Sequence, residues 1–263
     1  MKQQHIPLHG TPNLRDLGGY NSRCGRSVAK NRIFRSGTLA YLNEKDWSTL
    51  ENLNLGVICD FRREDEQIRE PTKPPAALPI KIISLSVGAG SHTDYLQYVL
   101  GSESEDSESV RQMMRSINRD FVLKHSDIYS QFLKQILTLK NETSLLFHCA
   151  AGKDRTGFGA ALFLSCLNVD RKTIHHDYLL TAEYFVPAVE LVNIQQRATH
   201  VDWNKYKIKR LTPMLEVHPD YLDSAFAAIE EQWGNTETYI REALKITDDE
   251  IAQLQNKFLV HND

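Results

Sequence analysis

At 263 residues, 41% of them hydrophobic and 25% charged, the chain has an ordinary globular composition and enough apolar mass for one substantial core. A formal charge of -3 and a pI near 6.4 argue against a general nucleic-acid or membrane-surface binder, although a local basic pocket can exist inside an acidic whole. Four cysteines, Cys24, Cys59, Cys149 and Cys166, lack metal-ligand spacing, and a disulfide framework is unusual in a chain this long, so they read as reduced thiols.

Residues 1–5 lack the apolar stretch of a signal peptide, and no apolar run reaches the length of a membrane span. A cytoplasmic protein without stable membrane insertion is therefore expected, with export by a trimmed signal or a signal-independent route left open. Residues 10–37 read as a turn-rich opening, with Gly18-Gly19 as a turn and Arg32-Ile33-Phe34 as a short strand. Asn43 is placed to cap a helix carrying Trp47, Leu50 and Leu53, which Gly56 follows. Val57-Ile58-Cys59 is then a buried strand ending in Asp60, and residues 80–83 form another after a loop over 71–79. Strands alternating with helices predict an α/β fold, a central parallel or mixed sheet of four to five strands flanked by helices.

Between residues 84 and 124 the pattern turns helical. Tyr95, Leu96, Tyr98 and Val99 suggest a short helix; Val110, Met113, Met114 and Ile117 fall at i, i+3, i+4 and i+7 and predict a second with one apolar stripe. The polar, acidic run 102–109 between them reads as a mobile surface loop. This stretch, about 85–124, is either a helical lid insertion or plain core packing. Ser126 is placed to cap the next helix, with Ile128, Phe132, Leu133, Ile136 and Leu137 on its buried face, and the apolar run Leu145-Leu146-Phe147 follows.

That run leads into His148-Cys149-Ala150-Ala151-Gly152-Lys153-Asp154-Arg155-Thr156-Gly157, the most informative stretch of the chain. A buried strand would deliver the thiol, a loop of small residues would wrap an anion with its N–H groups, and the dipole of the helix that follows would favour negative charge. The same field favours a reactive thiolate. Cys149 is the expected nucleophile, and Arg155 a planar fork for two phosphate oxygens. Gly152 lets the loop curl, while Ala150 and Ala151 keep side chains out of the anion's way. Thr156 can donate to the sulfur, and His148 is expected to orient the loop rather than act as a base. A nucleotide-binding loop does not fit, because Asp154 follows Lys153 where Ser or Thr would be needed for magnesium. Lys153 is expected at the loop's rim, as a charge for a second phosphate, as a solvated lysine or as a partner for Asp154.

Residues 157–167 are apolar nearly all round and predict a central buried helix. Tyr221, Leu222, Phe226, Ile229 and Trp233 predict an amphipathic helix ending at Gly234, and Thr247-Asp248-Asp249-Glu250 a capping box, with Ile246 stapled onto Ile251. The part from about 187 to 263 is expected to be a helical portion of one domain spanning 1–263. His175-His176 is not a metal pair, since neighbours on a helix point about 100° apart, and no metal or cofactor is expected.

A phosphate monoester needs its leaving oxygen protonated, so a carboxylic acid must lie near Cys149. Asp60 ends a strand expected to run parallel to the one ending at His148, on the ligand edge of the sheet. Arg62 and Arg63 beside it suit a salt bridge better than an acid. Asp154 lies in the loop itself, either bonded to loop amides or acting directly. Asp60 and Asp154 rank ahead of Asp120 and Asp127, and Asp127 has a capping reason to exist. Asp16, beside Arg15, reads as a structural partner.

The loop resembles the cysteine-based protein tyrosine phosphatase superfamily, whose signature is His-Cys, five residues, Arg, then Ser or Thr. The segments Asn13-Leu14-Arg15-Asp16-Leu17-Gly18-Gly19-Tyr20, Phe34-Arg35-Ser36-Gly37, Asp60-Phe61-Arg62 and Asp177-Tyr178-Leu179-Leu180-Thr181 extend the resemblance to its bacterial and fungal tyrosine/serine phosphatase family over about residues 10–260. The resemblance implies a metal-free, atypical dual-specificity phosphatase acting on phosphorylated protein, chiefly phosphotyrosine, with phosphoserine, phosphothreonine and phosphoinositides as further substrates. Related members carry helical lids. Two rivals remain open: a catalytically silent module that grips a phospho-ligand, and sulfur or arsenate chemistry at the thiolate. The oligomeric state is not legible.

Overall fold

Short strands from the first 150 residues pair into one sheet, and helices cover its two faces. The computed structural model describes residues 5–88, 107–197 and 211–261. In chain order, β1 (Arg15–Asp16), β2 (Ser27–Val28) and β3 (Ile33–Ser36) precede α1 (Glu44–Glu51), β4 (Leu55–Asp60), α2 (Glu64–Arg69) and β5 (Lys81–Ser84). Next come α3 (Ser107–Lys124), α4 (Ser126–Thr138), β6 (Ser144–His148), α5 (Asp154–Cys166), α6 (Arg171–Leu179), α7 (Thr181–Tyr184) and α8 (Pro187–Arg197). The remaining elements are α9 (Thr212–Leu215), α10 (Pro219–Trp233), α11 (Thr236–Glu242), α12 (Asp248–Phe258) and β7 (Leu259–Val260).

The main sheet has five strands in the order β1-β3-β6-β4-β5. β1 runs antiparallel to β3 and every other pairing is parallel, so the fold is α/β with a mixed sheet, as the alternating pattern predicts. β6 is central and buried at all five positions, which is why it reads as an unbroken apolar run. Ser36 of β3 and Asp60 of β4 both stand opposite His148, so three carboxyl ends open on one edge, where α/β sheets hold ligands.

Trp47 and Leu50 of α1 pack with Phe34, Ile58 and Leu146 on one face. On the other, α5 is buried nearly all round and packs with Phe61, Phe132 and Phe147. α1 opens with a capping box in which Asn43 accepts from the Asp46 amide at 2.9 Å. α10 ends at Gly234 with φ +76, and α12 opens with the Thr247–Glu250 capping box.

Several expectations are corrected. Ser126 does not cap α4: His125 holds the N-cap position, and the Ser126 hydroxyl donates back to the Val122 carbonyl at 2.7 Å. The reason is that α3 runs to Lys124, leaving that carbonyl one turn below. α5 begins at Asp154, three residues before the apolar run, because the loop itself winds into the helix. Glu108 and Ser109, placed by sequence in a mobile loop, lie in the first turn of α3, where Glu108 pairs with Arg115. Residues 102–106 and the helix expected at Tyr95–Val99 lie outside the described residues. α2 and the small β2–β7 sheet carry no periodicity that predicts them. Among the described residues, no helix is long and apolar enough to cross a membrane.

Candidate active site

Cys149 follows directly on β6, and the loop from it to Arg155 is shaped by what grips its outer side. Gly152 has φ +66, and a Cβ there would lie 2.4 Å from the Ser36 backbone, so only glycine lets the loop turn against β3. The loop's carbonyls are taken from outside. The Cys149 carbonyl accepts from His148 Nδ1 at 3.1 Å and that of Ala150 from the Thr38 amide at 2.8 Å. Asn13 Nδ2 donates to the carbonyls of Gly152 at 2.9 Å and Ala151 at 3.5 Å, and Arg35 Nη2 reaches Gly152 at 2.8 Å. In a planar trans peptide the C=O of one residue and the N–H of the next point opposite ways, so these bonds turn the loop amides toward the cavity.

That cavity, about 120 Å³, is lined by Cys149, Asp154 and Arg155 together with Met114, Ile117 and Phe121 of α3. Phe185, Met214 and Leu215 add apolar surface. The α3 stripe is thus both packed against the core and exposed to the site. A larger cavity of about 550 Å³ opens beside it and shares Ala150, Phe185 and Glu190.

Arg155 is held in place by Glu66 of α2, with Nη1–Oε2 2.8 Å and Nη2–Oε1 3.3 Å, and its carbonyl accepts from Tyr129 at 3.1 Å. Burial works against an ionised Glu66, but the Arg155 guanidinium outweighs it and draws the carboxyl down to about 2. With five N–H donors, Arg155 can bind Glu66 and still present N–H groups to an anion. Glu66 was not foreseen. Between Glu64, Asp65 and the polar residues that follow, nothing in the sequence sets it apart, and only the fold carries it to Arg155.

The two candidate acids have different surroundings. Asp60 is 2% exposed and both its oxygens bind Arg62, Oδ1 at 3.0 Å from Nε and Oδ2 at 2.6 Å from Nη2. Burial pushes its carboxyl up, but the Arg62 guanidinium and backbone amide outweigh burial and hold it below the usual range. It does not line the cavity. Asp154 does, with Oδ1 accepting from the Tyr178 hydroxyl at 2.9 Å and Oδ2 3.5 Å from Lys153 Nζ. Asp120 pairs with Lys124 in α3, and Asp127 stands in the first turn of α4.

Two further expectations change. Lys153 is neither solvated nor a free rim cation: it is 2% exposed, lies 3.5 Å from Asp154, the partner its third reading named, and donates to the carbonyls of Met214 at 2.6 Å and Glu216 at 2.7 Å. A lysine stem long enough to cross to α9 satisfies the open carbonyls of that short helix instead of solvent. The Thr156 hydroxyl is buried with no partner, so it makes no bond to the Cys149 sulfur here. His148 is fully buried, and burial lowers its pKa below the usual value; its bond to the Cys149 carbonyl fixes the proton on Nδ1. His175 spends both ring nitrogens on the Arg171 carbonyl and Asp223. Among the described residues no group of three or more His, Cys, Asp or Glu could hold a metal ion.

The comparisons agree with this arrangement. Residues 6–260 match the family described as the tyrosine phosphatase family. The chain is 30% identical over 258 residues to a Cupriavidus necator protein named, provisionally, a tyrosine-protein phosphatase, covering 94% of this chain and 85% of that one. It is 27% identical to the triple specificity protein phosphatase PtpB of Mycobacterium tuberculosis, over 90% of this chain and 92% of that one. A tyrosine-protein phosphatase of Nostoc commune is 25% identical over 90% of this chain and 80% of its own. With a thiol, a guanidinium and a turned-in loop at one sheet edge and this match across nearly its whole length, the chain belongs to the tyrosine phosphatase family and is a cysteine-based phosphatase.

Proposed function

We propose that the protein hydrolyses phosphotyrosine in protein substrates through a phosphocysteine at Cys149. The observation that carries this reading is one small cavity lined by Cys149, Asp154 and Arg155 and by the apolar side chains of Met114, Ile117, Phe121 and Phe185. Those side chains suit an aromatic ring, and the loop amides suit the phosphate at its end. Phosphoserine and phosphothreonine are shorter and reach the loop less deeply; the name of PtpB, with its triple specificity, supports keeping more than one substrate class. Phosphoinositides stand lower, because Lys153 is committed to Met214 and Glu216, and Arg63 at the mouth is paired with Asp65 at 2.7 Å.

The Cys149 thiolate attacks phosphorus, the S–P bond forms and the ester P–O bond breaks. Asp154, in its acid form, gives its proton to the leaving oxygen. Arg155 and the loop amides hold the equatorial oxygens as charge spreads over them. In the second half the Asp154 carboxylate takes a proton from water, which attacks phosphorus; the S–P bond breaks and inorganic phosphate leaves. Asp60 holds Arg62 and the edge of β4 rather than moving a proton. No step calls for a metal. A reduced Cys149 suits a cytoplasmic setting.

The test is phosphate release from phosphotyrosine, phosphoserine and phosphoinositide substrates with chelator present. Wild type turns over phosphotyrosine peptide fastest, Cys149→Ser is inactive on every substrate, and Asp154→Asn loses more than Asp60→Asn on an alkyl phosphate, whose leaving group needs the proton. Tight binding of phosphoesters without turnover would instead leave a silent binding module.

A further inference from the structure

Behind the phosphate loop lies a buried cluster that the reaction above does not use. Arg15 of β1 stands directly opposite Arg35 of β3, and both guanidiniums are essentially without solvent, at 1% and 0% exposure. Like charges opposite one another on neighbouring strands are destabilising, and burial adds to the cost. The ion pairs recorded for them go to one carboxylate, Asp177 of α6, with Arg35 Nη1–Oδ2 2.5 Å and Arg15 Nη2–Oδ1 3.4 Å. The Tyr20 hydroxyl donates to the same group at 3.0 Å. Two cations against one anion leave this cluster positive, and the fold retains it immediately behind the loop.

Its hydrogen bonds run to the loop. Arg35 Nη2 donates to the Gly152 carbonyl at 2.8 Å and approaches that of Lys153 at 3.4 Å. Asn13, held with φ +65, also donates to Gly152, and its own side-chain oxygen accepts from Arg15. An uncommon backbone conformation, a like-charge strand pair and a shared carboxylate thus converge on the carbonyls of one turn. Local choices that oppose stability and point at a single site are the mark of a functional constraint.

We propose that Arg35 and Asn13 are positioning residues of the phosphatase reaction, and that the Arg15–Arg35–Asp177 cluster forms a positive base that holds the loop amides on the equatorial oxygens of the transition state. The inference rests on the loop's binding phosphate, as argued under the proposed function. Positioning from behind is worth most where charge develops, so its loss lowers kcat more than it raises KM.

The experiment compares wild type, Arg35→Met, Arg35→Lys and Asn13→Ala on p-nitrophenyl phosphate, with inhibition by orthovanadate, which mimics the trigonal-bipyramidal state, and by inorganic phosphate, which does not. In Arg35→Met, kcat/KM falls and the vanadate inhibition constant rises by the same factor, about 100-fold, while phosphate inhibition changes by less than about threefold. Asn13→Ala, which alters no charge, shows the same parallel at about 10-fold. Arg35→Lys recovers part of the loss by restoring the charge without the fork. Each variant is assayed well below its own melting temperature, and if Arg35→Met does not fold, Asn13→Ala and Arg35→Lys carry the comparison. An active wild type whose folded variants keep kcat/KM and vanadate inhibition within about twofold overturns this inference alone. A wild type that neither turns over nor binds vanadate overturns the phosphatase reading and this inference with it.

Discussion

Arg155 reaches the phosphate site already oriented, because Glu66 grips its far side before any substrate arrives. That pairing has a measurable signature in stability. Glu66 is drawn from its ordinary 4.5 to about 2 in the folded protein, so its contribution is fully present above pH 4.5 and is lost as pH falls toward 2. The shift corresponds to about 3 kcal/mol at neutral pH, of which about 2 kcal/mol disappears between pH 7 and pH 3. Urea unfolding of Glu66→Gln is expected to show that much less loss over this interval than wild type; equal slopes would mean that the pair does not carry the linkage. At this scale the sequence points directly to residues inside one contiguous motif, Cys149, Gly152 and Arg155, while it leaves Asp154 level with Asp60 as the acid. It is silent about Glu66 and Tyr129 and gives Tyr178 only as part of a resembling segment; these arrive from α2, α4 and α6 and touch the loop only after folding. Lys153 was legible in part, since Asp154 was among its named partners, whereas the two carbonyls that take its ammonium are offered only by the tertiary structure.

The strand–loop–helix unit β6, loop and α5 is where sequence and structure coincide most closely. Its apolar strand, its small residues and its all-apolar helix each have one reading, and the three agree. α1 was legible in its start and buried face, set by a capping asparagine with Trp47 and Leu50, but not in its end: the helix stops at Glu51, Leu53 falls outside it and Gly56 lies within β4. α2 was not legible, since six charged or polar-flanked residues after a strand carry no apolar stripe. The loop's curvature depends on β3 lying against it. Gly152→Ala would set a Cβ 2.4 Å from the Ser36 backbone at a positive φ, forcing loop and strand apart. We expect kcat/KM to fall about 100-fold with only a modest drop in melting temperature. Unchanged kinetics would show that the loop does not need this approach.

Across the whole molecule, the C-terminal helices belong to the core that supports the site. Tyr221, Phe226, Tyr239 and Phe258 lie in the same buried cluster as Phe147, Cys149 and Phe158. β7 pairs with β2, and the Ala29 amide donates to the Phe258 carbonyl at 2.7 Å, tying residues far apart in sequence. Such two-residue strands are set by long-range packing, which explains why periodicity gave no sign of them. Phe258→Ala removes a fully buried ring and should cost about 3–5 kcal/mol. Calorimetry would register this as a fall in melting temperature on the order of 10 °C, with kcat/KM of the folded enzyme retained. A shift of a degree or less would detach this end of the chain from the core that holds the loop.

The central claim is covalent, that phosphate passes through the sulfur of Cys149. Wild type and Cys149→Ser should be mixed with a phosphotyrosine peptide, quenched in acid within the first turnover and digested for mass analysis. The account predicts one phosphoryl group on the wild-type peptide that contains Cys149, appearing with the burst of released tyrosine peptide and absent from the variant. Steady turnover by wild type with no phosphate on that peptide, or undiminished turnover by Cys149→Ser, would contradict it.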